Sequence, residues 1–248
     1  MIRLRSMARF YRILLCGARR RALSGRISLV KAVLTLASNS PRRRELIALG
    51  GWMFHVRPVD IDETPRPGEP PADYVMRMAV TKARTAGERL NPGGIAVAAD
   101  TTVVADGEIL GKPADERAAV EMLWRLRGQI HLVHTAIAVI RKDETDPLTD
   151  LCTTEVPMRE YGDEEIFAYI RSGDPFDKAG GYAIQHNGFR PVAALDGCYA
   201  NVVGLPLCHL VRTLAKLNLP AAADVPANCQ RALDYDCPVH ARILAGDL

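Results

Sequence analysis

Polar side chains in this chain stand where the apolar pattern calls for packing or a tight turn. The basic ones are Arg42, Arg43, Lys82, Lys112 and Lys178, and the acidic ones are Asp60, Glu63, Asp100 and Asp177. Ser38, Ser40, Thr101 and Gln185 complete the set. Nearly all fall at strand ends or loop–helix junctions, where ligand sites of α/β proteins form. Ser38-Asn39-Ser40-Pro41 followed by Arg42, Arg43 and Arg44 reads as a strand exit and a helix start. Backbone N–H groups at such a start bind anions. Three arginines there oppose the helix dipole, an arrangement that suits a polyphosphate whose oxygens take bidentate guanidinium contacts. Lys82 and Lys112 add point charges. Carboxylates beside phosphate-binding cations suit a hydrated divalent cation held by one or two acids plus substrate oxygens. Asp100, at a strand end, and Glu63, on a nearby loop, are the expected pair, with Mg2+ as the expected ion and Mn2+ as the alternative. Taken singly these residues have plainer readings: Asp100 as a strand-end cap, Glu63 as a solvated loop acid, Lys82 as a stem lying along the edge of an apolar stripe. The Ser-Pro-Arg loop alone is a weak signal, for it has neither the glycines nor the Lys-Ser/Thr pair of a Walker A motif.

The elements that must position these groups follow from periodicity and turn residues. Lys31–Ser38 reads as a buried strand. Ser40 suits an N-cap and Pro41 the first helical position, with Gly50-Gly51 ending the helix near Leu49. Trp52–Val59 reads as a strand, followed by a Pro-rich loop that carries Asp60 and Glu63. A helix over about 72–90 has the stripe Val75, Met78, Ala79, Ala83 and Ala86. Lys82 lies seven residues after Val75, close to the buried azimuth, where a lysine is uncommon unless it is paired or meets a ligand. Ile95–Val104 reads as a strand with Asp106-Gly107 as a hairpin turn and Glu108–Leu110 returning. A helix over 114–127, strands over 131–140 and 150–159, and a helix over 162–171 follow. Residues 173–181 read as a turn-rich loop and Tyr182–Gln185 as a short apolar segment. A last helix is expected over 205–217. Beyond Leu219 the chain is Ala/Pro-rich without a clear period. The alternation predicts an α/β protein with a mixed sheet and helices around it.

Bulk properties limit the alternatives. The chain has 248 residues and a net charge of +3. Residues 1–31 hold nine basic side chains and no acid, so the rest of the chain carries −6. The basic balance therefore belongs to a terminal segment and is weak evidence for nucleic-acid binding. That segment is Arg-rich and acid-poor like a transit peptide, but it reads better as a disordered extension or an early start. No run of ~20 apolar residues supports a membrane span. Six scattered cysteines without a C-x-x-C pair look like reduced, packed thiols of a cytosolic protein. Cys229, Cys237 and His240 match no strong zinc spacing, and packing is the preferred reading for them.

Five motifs in order, SNSPRRRE at 38–45, ADTTVV at 99–104, LGKP at 110–113, DKAGGYAIQ at 177–185 and NVVGLPL at 201–207, resemble the Maf family of nucleoside triphosphate pyrophosphatases. The resemblance covers about Val33 to Leu219. It implies a Maf/Ham1-like twisted mixed sheet with a cleft between two lobes. It also implies metal-dependent hydrolysis of a nucleoside triphosphate to the monophosphate and pyrophosphate, and a homodimer. The expected organisation is a basic extension over 1–31, a catalytic domain over 32–219 and a tail over 220–248. By motif, Asp100 matches the family's proton acceptor, and Ser38, Arg43, Glu63, Lys82 and Lys112 match positions lining the polyphosphate and metal site. Arg42, Thr101 and Gln185 match the branch acting on dTTP and UTP, where the 7-methyl-GTP branch carries Trp, Gln and Glu. One Gln amide can donate to pyrimidine O4 and accept from N3–H. Ala183 and His186 stand where the family usually has Gly, and His186 is expected to narrow the base pocket or alter its loop. The implied reaction is attack of water on the α-phosphorus, with Asp100 as the base or the group that orients the water. The rival readings are a partner-binding regulator of septum formation with weak or no hydrolysis, a nucleic-acid binder using the N-terminal arginines, and a hydrolase of modified nucleotides.

Overall fold

The structure, a computed structural model, describes residues 32–248. The expectations for 1–31 lie outside the described residues. A single mixed sheet organises the rest. Strand β1 (Leu34–Leu36) pairs in parallel with β2 (Phe54–Val56) and with the long β3 (Ile95–Ala105). β3 then pairs antiparallel with β5 (Ile130–Arg141), and β5 with β6 (Leu148–Pro157), giving the order β2-β1-β3-β5-β6. The short β4 (Glu108–Leu110) folds back on the end of β3 through Asp106 and Gly107, both at positive φ (51° and 79°), as the Asp-Gly signal requires.

Helix α1 (Pro41–Ala48) starts as its sequence demands: Ser40 is the N-cap, its hydroxyl accepts from Arg43 N–H, and Pro41 takes the first turn. Helix α2 (Pro71–Glu88) buries Val75, Ala79, Ala83 and Ala86 against Ala96 and Ala98 of β3 and Ala136 and Ala138 of β5, and Met78 is buried as well. Alanines on both surfaces let helix and sheet come close, and that approach brings Lys82 to the level of Asp100.

Helices α3 (Glu116–Leu126) and α4 (Asp163–Arg171) pack over the far end of the sheet around Leu123, Leu126, Ile166 and Tyr169. On the face opposite α2, the core of Leu34, Leu36, Val97, Ile137 and Val139 is closed by a short helix α5 (Tyr199–Val203) and by α6 (Leu207–Ala215). Two features differ from expectation. α5 precedes α6 where only a lead-in was expected, and α6 is not the last helix. Residues beyond Leu219 form α7 (Val225–Leu233) and α8 (His240–Ala245), which bury Val225 and Ile243. Their apolar positions are too few to show a period, but Asp224 caps α7 through Ala227 N–H at 3.1 Å. Among the described residues no helix is long and apolar enough to cross a membrane.

Candidate active site

Strand alternation decides which way the central residues face. In β3, Ala96, Ala98 and Asp100 point to α2, while Ile95, Val97, Ala99 and Thr101 point to the α1/α5 face. Adjacent residues of one strand therefore serve two groups of partners.

On the α2 side, Lys82 Nζ lies 2.7 Å from Asp100 Oδ1 and 2.6 Å from Glu63 Oε1. The lysine that the helical period places near the buried stripe is paired, and it is paired twice. Asp100 is only 8% exposed. Burial pushes its carboxyl above the usual range; Lys82 and Arg43 oppose the rise and Glu63 adds to it. At Glu63 burial works in the same direction, but the Lys82 hydrogen bond and the charges of Lys82, Lys112 and Arg43 outweigh it and hold the carboxyl low. Two carboxylates on one ammonium are thus driven apart in acidity, the pattern that separates acid and base roles. The Glu63 loop is tied to α2: Tyr74 Oη donates to Glu63 O at 2.9 Å and Arg77 Nη2 donates to Thr64 O at 3.1 Å. Neither residue is singled out by the motifs. Tyr74, eight residues before Lys82 on the same helix, was the available signal.

On the α1 side, Arg43 turns inward. Its Nε donates to Gly204 O at 2.8 Å, Nη2 to Thr101 Oγ1 at 2.9 Å and Nη1 to Ser38 Oγ at 3.4 Å. All three acceptors are neutral, and among the described residues no carboxylate lies within ion-pair distance of this guanidinium. Burial lowers its pKa and Asp100 opposes that effect. Thr101 Oγ1 also lies 3.0 Å from Thr135 Oγ1, which donates to Asn201 O of α5 at 3.0 Å. Gly204, at φ 121°, gives this packing room, because a Cβ there would sit 3.3 Å from Thr101 Oγ1 and 3.5 Å from Arg43 Nε. Arg42 Nη1 reaches Asp177 Oδ2 at 3.4 Å. Lys178, nearly buried, is held by Asp174 at 2.8 Å and Asp177 at 2.6 Å. Gly180, at φ 73°, lets this loop press against β3, since a Cβ there would meet Val103 Cγ1 at 2.9 Å.

These groups surround one cavity of about 480 Å3, lined among others by Arg42, Arg43, Glu63, Lys82, Asp100, Thr101, Lys112, Lys178 and Gln185. Its size lies within the ~300–1,000 Å3 usual for small-molecule sites. Ser38 stands just behind, bonded to Arg43. Asp60 is exposed and does not line the cavity. His186 does not line it either: its ring packs against Tyr169 at 4.7 Å, and its Nδ1 accepts from Phe189 N–H at 2.9 Å. It closes its own turn rather than narrowing the pocket.

The donor set can be tested for a cation from this geometry. Lys82 Nζ already places one positive charge between the Glu63 and Asp100 oxygens. Among the described residues no group of three or more His, Cys, Asp or Glu is arranged around a metal position. Two hard oxygen donors suit Mg2+, which retains waters and takes substrate phosphates, better than an ion that needs a full protein cage.

A family model described as Maf-like protein matches residues 33–217. A dTTP/UTP pyrophosphatase of Citrifermentans bemidjiense is 47% identical over 181 residues, covering 73% of this chain and 93% of that protein. One from Geobacter sulfurreducens is 47% identical over 187 residues, covering 75% and 97%. One from Anaeromyxobacter dehalogenans is 46% identical over 195 residues, covering 78% and 98%. A solved HAM1 protein from Coxiella burnetii aligns with a TM-score of 0.37 at 19% identity over 51% of this chain and 73% of that one, too distant to bear on the assignment. With the family model spanning most of its length and relatives near half identity along nearly their whole sequence, the chain belongs to the Maf family.

Proposed function

We propose that this chain is a nucleoside triphosphate pyrophosphatase that hydrolyses dTTP and UTP to the monophosphate and pyrophosphate. The observation that carries the reading is the charge arrangement of one cavity. Lys82 sits between Glu63 and Asp100, while Arg43 and Lys112 face the same space without a carboxylate partner among the described residues. Cations in surplus call for a polyanion, and a raised carboxyl among them calls for a proton to accept. The names of the relatives support the substrate class. The septum-regulator reading is less favoured, because it assigns no task to the split acidity of Asp100 and Glu63.

In this reading Arg43, Lys82 and Lys112 bind the triphosphate, and Ser38, expected among them, acts from behind by accepting from Arg43. Asp100 accepts the proton of the water that attacks the α-phosphorus. Arg43, Lys82 and Lys112 stabilise the charge that builds on the departing pyrophosphate. Maf-family nucleotide pyrophosphatases are generally divalent-metal dependent, and Glu63 and Asp100 are the residues that would hold the ion. Bound there, Mg2+ (or Mn2+) would neutralise phosphate charge and polarise the scissile bond. Gln185, on the rim of the cavity, reads the O4/N3–H edge of the base, with Arg42 and Thr101 shaping its approach. Thr101 does so by fixing Arg43.

The proposal also takes residues 32–219 as the catalytic unit with 220–248 appended to it, a homodimer in solution and a place in the cytoplasm. Pyrophosphate release with Mg2+ from a panel of dTTP, UTP, CTP, GTP and 7-methyl-GTP tests the reading. Release from dTTP and UTP ahead of the others is expected. A purine preference would overturn the role of Gln185, and no release from any of them would overturn the reaction.

A further inference from the structure

Gln185 stands exposed at the rim of the cavity, at the end of the segment Tyr182–Gln185, so the backbone beneath it decides where its amide is held. That backbone is fastened at two adjacent residues, neither of them Gln185. Tyr182 Oη lies 2.8 Å from Nε2 of the buried His131, which ties the segment to β5. Ala183 N–H donates to Tyr169 Oη at 3.0 Å. Tyr169 lies on α4, is buried and does not line the cavity.

From Tyr169 an unbroken line of hydrogen bonds runs back to the phosphate end of the site. Tyr169 Oη donates to Asp174 Oδ2 at 2.8 Å. Lys178 Nζ donates to Asp174 Oδ1 at 2.8 Å and to Asp177 Oδ1 at 2.6 Å. Arg42 Nη1 closes the line on Asp177 Oδ2 at 3.4 Å. Arg42 stands beside Arg43 in the first turn of α1. The line therefore joins the turn whose guanidinium faces the phosphates to the main chain two residues before Gln185. Tyr169 is the uncharged link, its hydroxyl taking from Ala183 and giving to Asp174 at once. Burial and the Asp174 bond push its pKa far up, so the proton stays on the phenol and both hydrogen bonds persist.

The Tyr169 ring has a separate role. It stacks on Phe189 with centroids 4.5 Å apart and meets the His186 ring at 4.7 Å. These contacts hold the turn beyond Gln185, where His186 N–H donates back to Ala183 O at 3.1 Å. Ring and hydroxyl can thus be separated by one substitution.

We propose that Tyr169 is a positioning residue for base selection, fixing the span between the Arg43 end of the cavity and the Gln185 amide. The inference rests on the proposed hydrolysis of dTTP and UTP and on the reading of Gln185. A purine carries a second ring between its sugar and its hydrogen-bonding edge. With the phosphates held by Arg43, Lys82 and Lys112, that edge stands farther out than the O4/N3–H edge of a pyrimidine. The amide alone does not choose between them, since guanine O6 and N1–H offer it the same acceptor and donor. Held at a fixed span, it meets one edge and leaves the other unpaired.

Tyr169→Phe keeps the ring contacts and removes both hydroxyl hydrogen bonds. Asp174→Ala cuts the same line one link further on, at a residue that does not line the cavity. The test measures kcat and KM of pyrophosphate release from dTTP and from GTP for the wild type, both single variants and the double variant. In Tyr169→Phe, KM for dTTP should rise and kcat should stay within about twofold, because the binding lost is common to ground and transition states. The ratio of kcat/KM for dTTP to that for GTP should fall by roughly 3- to 10-fold, the worth of one hydrogen bond. Asp174→Ala should lower the ratio similarly, and the double variant no further, since both cut one line. A general loss of folded protein would scale both nucleotides alike and leave the ratio where it was. An unchanged ratio in either folded single variant, or effects that multiply in the double variant, would overturn the inference alone. A wild type without preference for dTTP over GTP would overturn the reading of Gln185 and this inference with it.

Discussion

Lys82 and Lys178 are each held by two carboxylates at almost the same distances, Lys82 by Glu63 and Asp100 at 2.6 and 2.7 Å, Lys178 by Asp177 and Asp174 at 2.6 and 2.8 Å. Their chemistry differs because the acids are buried to different depths, the lysine being nearly buried in both. Around Lys178 the lysine is buried and the acids reach solvent, with side chains 32% and 62% exposed. Burial opposes ionisation of Asp174 and Asp177 only partly, and the hydrogen bonds from Lys178 hold both carboxyls low. Around Lys82 one acid, Asp100, is itself nearly buried in the middle of a strand, and its carboxyl is raised despite two neighbouring cations. The first trio is a permanently charged clamp that pins the 174–178 loop. The second contains a group able to take up a proton. Like composition at like distance gives structure in one place and reactivity in the other.

Removing the reactive member should have the largest effect. Asp100→Asn keeps shape and loses the proton acceptor, so pyrophosphate release should fall by about 10^3–10^4. Thermal melting at neutral pH should not drop, because a carboxyl raised on folding weakens the fold as pH rises through its folded value, and the amide relieves that cost. A lower melting temperature with modest kinetic loss would make Asp100 a structural residue like Asp174.

Next, Lys82→Met removes the charge that restrains the rise of Asp100. Turnover should fall by roughly 10^2. The acid limb of kcat/KM should also move to higher pH, since Asp100 must be ionised to act and activity is lost as pH falls through its pKa. In the wild type that limb should already lie above the roughly 3.9 of an ordinary Asp. A limb that stays in place would separate Lys82 from the acidity of Asp100.

Glu63→Gln should cost about 10-fold and raise the Mg2+ concentration needed for half-maximal rate, because one of two ionic oxygen donors becomes neutral. Chelation should abolish turnover of the wild type. An unchanged Mg2+ requirement would remove Glu63 from the cation site.

The smallest effect belongs to the clamp. Lys178→Met should lower stability by roughly 1–2 kcal/mol, discounted because its partners are solvent-screened. It should raise KM through the loosened loop and leave the acid limb where it is. A shifted limb would show that the two trios are electrostatically one.

Much of this arrangement is legible in the residues. The capped start of α1, the alanine stripe of α2 and the run Ala-Asp-Thr-Thr already place Arg43 in a first helical turn, Lys82 beside a buried helix face and Asp100 in a buried strand, although Asp100 lies in the middle of β3 rather than at a strand end. The Asp-Gly hairpin and the mixed sheet follow from local signals of the same kind. What escapes is long-range or short. The Gly204 carbonyl meets Arg43 across 161 residues, and no period in α5's five residues announces the helix. Tyr74 holds the Glu63 loop through a main-chain oxygen, which carries no side-chain signature. Cys229 and Cys237 come beside Cys208 only because the segment that holds α7 and α8, whose stripes are too short to read, folds back beside α6. His186 belongs with these: its ring is committed to Tyr169 and Phe189, contacts that its sequence neighbours do not disclose.

The most direct test is hydrolysis of dTTP in 18O-water by the wild type and by Asp100→Asn. The account predicts pyrophosphate as the other product, with the label in the monophosphate because water attacks the α-phosphorus, and near-complete loss of both products in the variant. Orthophosphate release, label in the pyrophosphate, or a variant as fast as the wild type would contradict it.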